Sequence, residues 1–203
     1  RPFQFCPAIT FSDQRDVNPL PPMGLGYLAG MLRKADYEVK IIDALMEGWT
    51  TETPVDGGLV RVGLTYDQIQ EEIIKYQPDV VGISCMFSKQ SEVYHEVLGV
   101  IKKASPGIMT VAGGPHVTVC SKDVLDDSNC DHIIIGEGEN SFVELLDSLN
   151  SGNDLTKING YGVKRDGEYI INHHQSFEDD LDSMPFPAYD IMNLSQYFGL
   201  SAS

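Results

Sequence analysis

Three short segments combine glycines, hydroxyls and acids in a way that could hold a large ligand: Ser84-Cys85-Met86-Phe87-Ser88, Gly113-Gly114-Pro115-His116 and Gly136-Glu137-Gly138-Glu139. Glycines there remove side chains so that backbone amides can approach a flat or anionic molecule, while Ser84 and Ser88 offer hydroxyls to its periphery. Each segment alone reads as a glycine turn. Together, each following an apolar run, they point to one shared ligand larger than a mononucleotide. His116 fits either a ligand or proton donor or a solvated loop histidine, and Glu137 and Glu139 also fit as complements to a helix dipole. A fourth segment, Gly24-Leu25-Gly26-Tyr27-Leu28-Ala29, matches the dinucleotide fingerprint G-x-G-x-x-A, with Asp43 in the place of the ribose-binding acid. That motif needs its glycines in the tight turn leaving the first strand, where a pyrophosphate meets the helix N-terminus. Here a long polar segment ending in Leu20-Pro21-Pro22 intervenes, so the glycines read as packing residues for close approach to a sheet. A nucleotide (NAD)-binding oxidoreductase domain using Gly24, Gly26 and Asp43 is the rival reading.

The elements that must position these segments are legible from periodicity. The run Pro78-Asp79-Val80-Val81-Gly82-Ile83 is apolar, β-branched and preceded by a helix-stopping proline, as a strand buried on both faces of a parallel sheet reads. Further strands are predicted at 3–9, 38–44, 108–112 and 132–135, and helices at 23–34, 66–76 (capped by Thr65), 91–104, 117–127 and 140–149. The alternation predicts an α/β fold: a flavodoxin-like, doubly wound parallel five-stranded sheet of order 2-1-3-4-5 with helices on both faces. Ligands of such sheets bind outside the carboxyl ends of the strands, where all three segments fall. Residues 49–64 read as an irregular surface insertion. Beyond 150 the character changes: alternating runs flank Arg165-Asp166-Gly167, predicting a β-hairpin, and an acidic, proline-punctuated tail follows. Its apolar residues have no core of their own, so it is expected to dock on something the chain lacks. The division expected is a Rossmann-like domain over 1–150 and a hairpin with linker over 151–203.

Composition removes other classes. The 203 residues carry 14 Lys+Arg against 30 Asp+Glu, a formal charge of -16, which repels nucleic acid. The acidic stretches 123–131 and 178–182 read as solvated faces. Cys6, Cys85, Cys120 and Cys130 form no C-x-x-C pair, so neither a zinc site nor a cysteine-held iron–sulfur cluster is signalled, and the usage suits a reducing cytoplasm. No signal peptide and no membrane-spanning apolar run is present, and the start at Arg1-Pro2-Phe3 suggests a trimmed chain. A receiver domain would end its third strand on aspartate, where Ser84 stands, and an FMN site would need a Ser/Thr-rich loop after the first strand.

The segments 21–29, 78–84, 113–116 and 136–139 together resemble the N-terminal cobalamin (B12)-binding domain of B12-dependent radical SAM enzymes, with the greatest likeness to the anaerobic magnesium-protoporphyrin IX monomethyl ester oxidative cyclase group. The hairpin and Asp182-Ser183-Met184-Pro185-Phe186-Pro187 share the likeness, which therefore covers nearly the whole chain. The resemblance implies a corrinoid over the strand ends, contacted by Gly24, Leu25, Gly26, Ser84, Met86, Phe87, Ser88, Gly113, Gly114, Pro115, His116, Val117, Gly136, Glu137, Gly138 and Glu139. Its benzimidazole tail would descend beside Ser84 and Gly113-Gly114, so Gly114→Val is expected to block it without harming the fold. The D-x-H-x-x-G motif of cobalamin mutases is absent, since the first loop has Asp13 and Asp16 but no histidine, which implies base-off cobalamin without a histidine lower ligand. The family's C-x-x-x-C-x-x-C is absent too. The [4Fe–4S] cluster and S-adenosylmethionine are therefore expected in a radical SAM domain of the same parent chain, a cyclase or methyltransferase. This chain has no catalytic residue or metal ligand assigned; its expected partners are the corrinoid and that domain, with no nucleic acid and no membrane. A third reading is a regulatory flavodoxin-like domain that has lost its ligand.

Overall fold

The computed structural model describes residues 2–6, 19–55, 59–173 and 180–200. One sheet organises the chain. Its parallel strands are β1 (Pro2–Cys6), β2 (Glu38–Ile41), β5 (Val80–Ser84), β6 (Met109–Gly113) and β7 (His132–Ile134). They lie in the order β2-β1-β5-β6-β7, with β5 in the middle. Setting aside the excursion hairpin β3 (Glu52–Val55) and β4 (Leu59–Val62), that is the 2-1-3-4-5 order expected. The sheet then continues antiparallel through β8 (Tyr161–Arg165) and β9 (Glu168–Ile171), so it has seven strands where five were expected. The turn between the last two places Asp166 and Gly167 at φ 52° and 83°, the positive values a tight two-residue hairpin demands.

Helices cover both faces because the buried strands alternate their side chains between two cores. Val80, Val111 and Ile134 face α1 (Met23–Lys34) and α7 (Glu139–Ser151), packing with Leu25, Ala29, Leu32, Phe142 and Leu145. Val81, Ala112 and Ile133 face the opposite way, toward α3 (Tyr66–Tyr76) and α4 (Ser91–Ala104), packing with Ile69, Ile73, Leu98 and Ile101. The start of α3 is set by a capping box: Thr65 Oγ1 accepts from Gln68 N, and Gln68 Oε1 accepts from Thr65 N.

Three expectations change. The described residues of 49–64 are not irregular: after α2 (Ala44–Glu47) they include the antiparallel pair β3–β4, with Glu52 opposite Val62. Pro54 argues against a ladder strand, but a two-stranded ribbon has edges that tolerate it. The predicted helix 117–127 is two short ones, α5 (Pro115–Val119) and α6 (Ser121–Leu125), and it begins earlier because Pro115 is suited to a first helical turn. The tail docks on this chain's own α1. Ala188 N donates to Gly26 O at 3.0 Å, and Ala188, Met192 and Tyr197 are buried, the last on α8 (Leu194–Leu200). The first loop's Asp13 and Asp16, the end of the first predicted strand, and Glu178 and Asp179 of the second acidic stretch lie outside the described residues.

Candidate functional site

The three segments meet at one edge, stitched by hydrogen bonds beyond the strand ends. Ser84 pairs with Gly113, Cys85 N donates to Gly113 O at 3.0 Å, and His116 N donates to Cys85 O at 3.1 Å. Thr118 links the third segment: its hydroxyl donates to Gly114 O at 3.2 Å and accepts from Gly136 N at 3.0 Å. Sequence reasoning missed Thr118, for nothing but its place in α5 marks it. A Cβ on Gly138 would stand 3.5 Å from Leu28 Cδ2, so the first half of α1 flanks the same edge.

The residues divide by exposure. Met86 and Phe87 are 51% and 56% exposed, and Val119, another residue the sequence did not mark, is 81% exposed. Large apolar side chains held out at a strand edge are what a flat, partly apolar ligand would cover. Gly24, Ser88, Pro115, Gly136 and Glu137 are also exposed, while Ser84, Gly113, Gly114, Gly138 and Glu139 are half-buried. Leu25 is buried in the core, and Val117 is wholly buried with the side chains of the α3–α4 face. His116 is no solvated loop residue. It is buried in α5 with Nδ1 3.0 Å from Ser88 Oγ, and burial first, then nearby His95, lowers its pKa.

Gly113 and Gly114 differ sharply. At Gly113 a Cβ would find only Ile134 O, 3.8 Å away. At Gly114 φ is +98°, and a Cβ would meet Cys85 O at 2.8 Å and Ser84 Oγ at 2.9 Å. The expectation that Gly114→Val spares the fold is therefore overturned: the substitution strains the backbone and breaks the close approach of two segments.

The dinucleotide-like segment has another use. Gly26 and Gly30 lie one turn apart on α1, where added Cβ atoms would strike Met192 Sδ at 2.5 Å and Phe186 O at 2.6 Å respectively. These glycines receive the tail, not a sheet. Asp43 is buried as the N-cap of α2, accepting from Met46 N at 3.2 Å and from the Tyr197 hydroxyl. Burial raises its pKa, opposed by the bond from Tyr197. An acid so engaged is not presented to a ribose.

An α/β sheet of this order, with strand-end loops that meet at one apolar and hydroxyl-bearing edge, is of the doubly wound class, whose ligands bind outside the carboxyl ends of the strands. Residues 16–146 match the B12 binding domain model, and the chain belongs to that family. It is 35% identical over 204 residues to the cytidylyl-2-hydroxyethylphosphonate methyltransferase of Streptomyces wedmorensis, covering 89% of this chain and 38% of the relative. It is 28% identical over 183 residues to the anaerobic magnesium-protoporphyrin IX monomethyl ester cyclase of Rubrivivax gelatinosus, covering 87% and 30%. The cobalamin-dependent S-adenosylmethionine radical enzyme OxsB, solved with aqua-cobalamin and S-adenosylmethionine bound, shares the fold with a TM-score of 0.75 at 20% identity, covering 97% of this chain and 25% of that one. The resemblance to the family is thus borne out: this is a B12-binding domain homologous to those of cobalamin-dependent radical SAM methyltransferases and of the cyclase, although the greatest likeness expected for the cyclase is not seen, its 28% identity being below the 35% to the methyltransferase. The chain spans only 38% and 30% of the lengths of these two curated relatives. Among the described residues, no helix is long and apolar enough to cross a membrane.

Proposed function

We propose that the chain is the cobalamin-binding module of a longer B12-dependent radical SAM enzyme, a methyltransferase or oxidative cyclase, and that it holds a base-off corrinoid at the carboxyl edge of its sheet. The observation that carries this reading is the meeting of the three segments at one edge in a chain of the B12-binding family. The edge fits the group: Met86 and Phe87 offer apolar cover, Ser84 and Ser88 offer hydroxyls, and Gly113 leaves room. Ser84 with Gly113 and Gly114 would flank the benzimidazole tail. Met86 to Ser88, Pro115 and Gly136 to Glu139 would hold the corrin edge, with the buried His116 and Val117 supporting them from behind. Gly24 and Leu25 would flank it from α1, and Gly26 would act through the tail segment it seats. The corrinoid, when bound, supplies a cobalt centre for methyl or electron transfer. The [4Fe–4S] cluster and S-adenosylmethionine belong in this proposal to the parent's radical SAM domain, and the protein works in the cytoplasm, away from nucleic acid and membranes. This reading assigns no histidine to the cobalt: D-x-H-x-x-G is absent from the sequence, and His116 Nδ1 lies 3.0 Å from Ser88 Oγ.

The test is the visible spectrum of the purified protein after incubation with hydroxocobalamin and removal of free ligand. Retained corrinoid with a base-off spectrum is expected. A base-on spectrum would refute the placement of the tail. Failure of both this chain and the full-length parent to retain corrinoid would refute the module itself.

A further inference from the structure

Ser88 and His116 come from different segments, one following β5 and the other in α5, yet their polar atoms lie 3.0 Å apart. Ser88 is exposed beside the exposed Phe87, whereas His116 is only 6% exposed. The histidine is fixed from several sides. Its backbone N–H donates to Cys85 O, its ring stands edge-on to Tyr94 with centroids 6.5 Å apart, and the next residue, Val117, is locked in the core. A buried imidazole bonded to an exposed hydroxyl sets that hydroxyl's direction. If Nδ1 accepts, the Ser88 proton turns inward and its lone pairs face out; if Nδ1–H donates, the Ser88 O–H is free to point outward. A free serine would give up rotamer freedom on binding, while a held one has already lost it.

We propose that His116 is a positioning residue that holds the Ser88 hydroxyl as a preset hydrogen-bonding point for the amide-bearing rim of a corrinoid, without itself touching the ligand. The inference rests on the cobalamin reading above. Primary amides on the corrin rim both donate and accept, so either tautomer of His116 leaves Ser88 a suitable partner. The arrangement also accounts for a histidine buried at the first turn of α5, directly behind the ligand edge.

Hydroxocobalamin is titrated into the wild-type chain, Ser88→Ala, His116→Phe, their double variant and His116→Asn, with affinity read from the visible spectrum and folding from thermal melts. Ser88→Ala and His116→Phe should each weaken binding roughly tenfold. The double variant should bind no more weakly than Ser88→Ala alone, and His116→Asn, whose amide can take the place of Nδ1, should recover most of the loss. A role through packing alone would give additive losses and no rescue, and that result overturns the proposal. Should His116→Phe fail to fold, Ser88→Ala and His116→Asn carry the test, and unchanged affinity in Ser88→Ala overturns it. Should the wild-type chain retain no corrinoid, the same variants are titrated in the full-length parent; failure of that wild type too would bring down the cobalamin reading, and this inference with it.

Discussion

Gly113 and Gly114 are neighbours of one residue type, and their surroundings give them different jobs. Gly114 adopts φ +98° with Cys85 O only 2.8 Å from where a Cβ would be, so it is needed to bring two segments together whatever they bind. Gly114→Ala should cost about 1–3 kcal/mol in urea unfolding, through the unfavourable backbone conformation and the lost close approach. Gly113→Ala meets nothing nearer than 3.8 Å, so it should unfold within about 0.5 kcal/mol of wild type while weakening corrinoid retention. Equal destabilisation by the two would refute this division of roles. Both glycines are visible in the sequence, but only backbone geometry separates the structural one from the one with room beside it.

At the scale of elements, the pairing of α1 with the tail was not foreseen, although both partners were marked. Gly26 and Gly30 lie four apart on one face, and the tail carries Pro185, Phe186, Pro187 and Met192. Proline-rich chain offers few hydrogen bonds to itself, and glycines on a helix let such a backbone come close; Phe186 O sits over Gly30 and Ala188 N bonds to Gly26 O. Arg33 adds a two-pronged bond to Asp190 at 2.7 and 2.9 Å, though as an exposed pair it adds little. Gly30→Ala should therefore loosen the tail, with amide exchange at Ala188 faster by roughly tenfold, about 1.4 kcal/mol of local stability. Gly24→Ala, with nothing within 4 Å, should leave that exchange unchanged. Unaltered exchange in Gly30→Ala would show that the tail is held elsewhere.

Over the whole molecule, the hairpin is part of the sheet, joined by the β7–β8 ladder and by the Tyr161 hydroxyl, 2.9 Å from His132 Nδ1. Burial lowers the pKa of His132. The unfolded chain therefore takes up a proton near pH 6.5 that the native state resists, so the stability is fully present above that pH and is lost as the pH falls toward the native value. Urea unfolding of wild type should weaken between pH 7.5 and 5.5, and His132→Gln should weaken less; identical slopes would remove His132 from the account. The sequence by itself determined the parallel α/β class, the strands and principal helices, the hairpin turn and the three strand-end segments. Those rest on local terms: periodicity of apolar residues, helix stops and turn chemistry. Only the tertiary structure decided that His116 is buried behind Ser88, that Thr118 ties the third segment to the second, that Asp43 is taken by Tyr197 and that the tail closes on α1. These are contacts between residues far apart in the chain, whose pairing depends on how the elements pack.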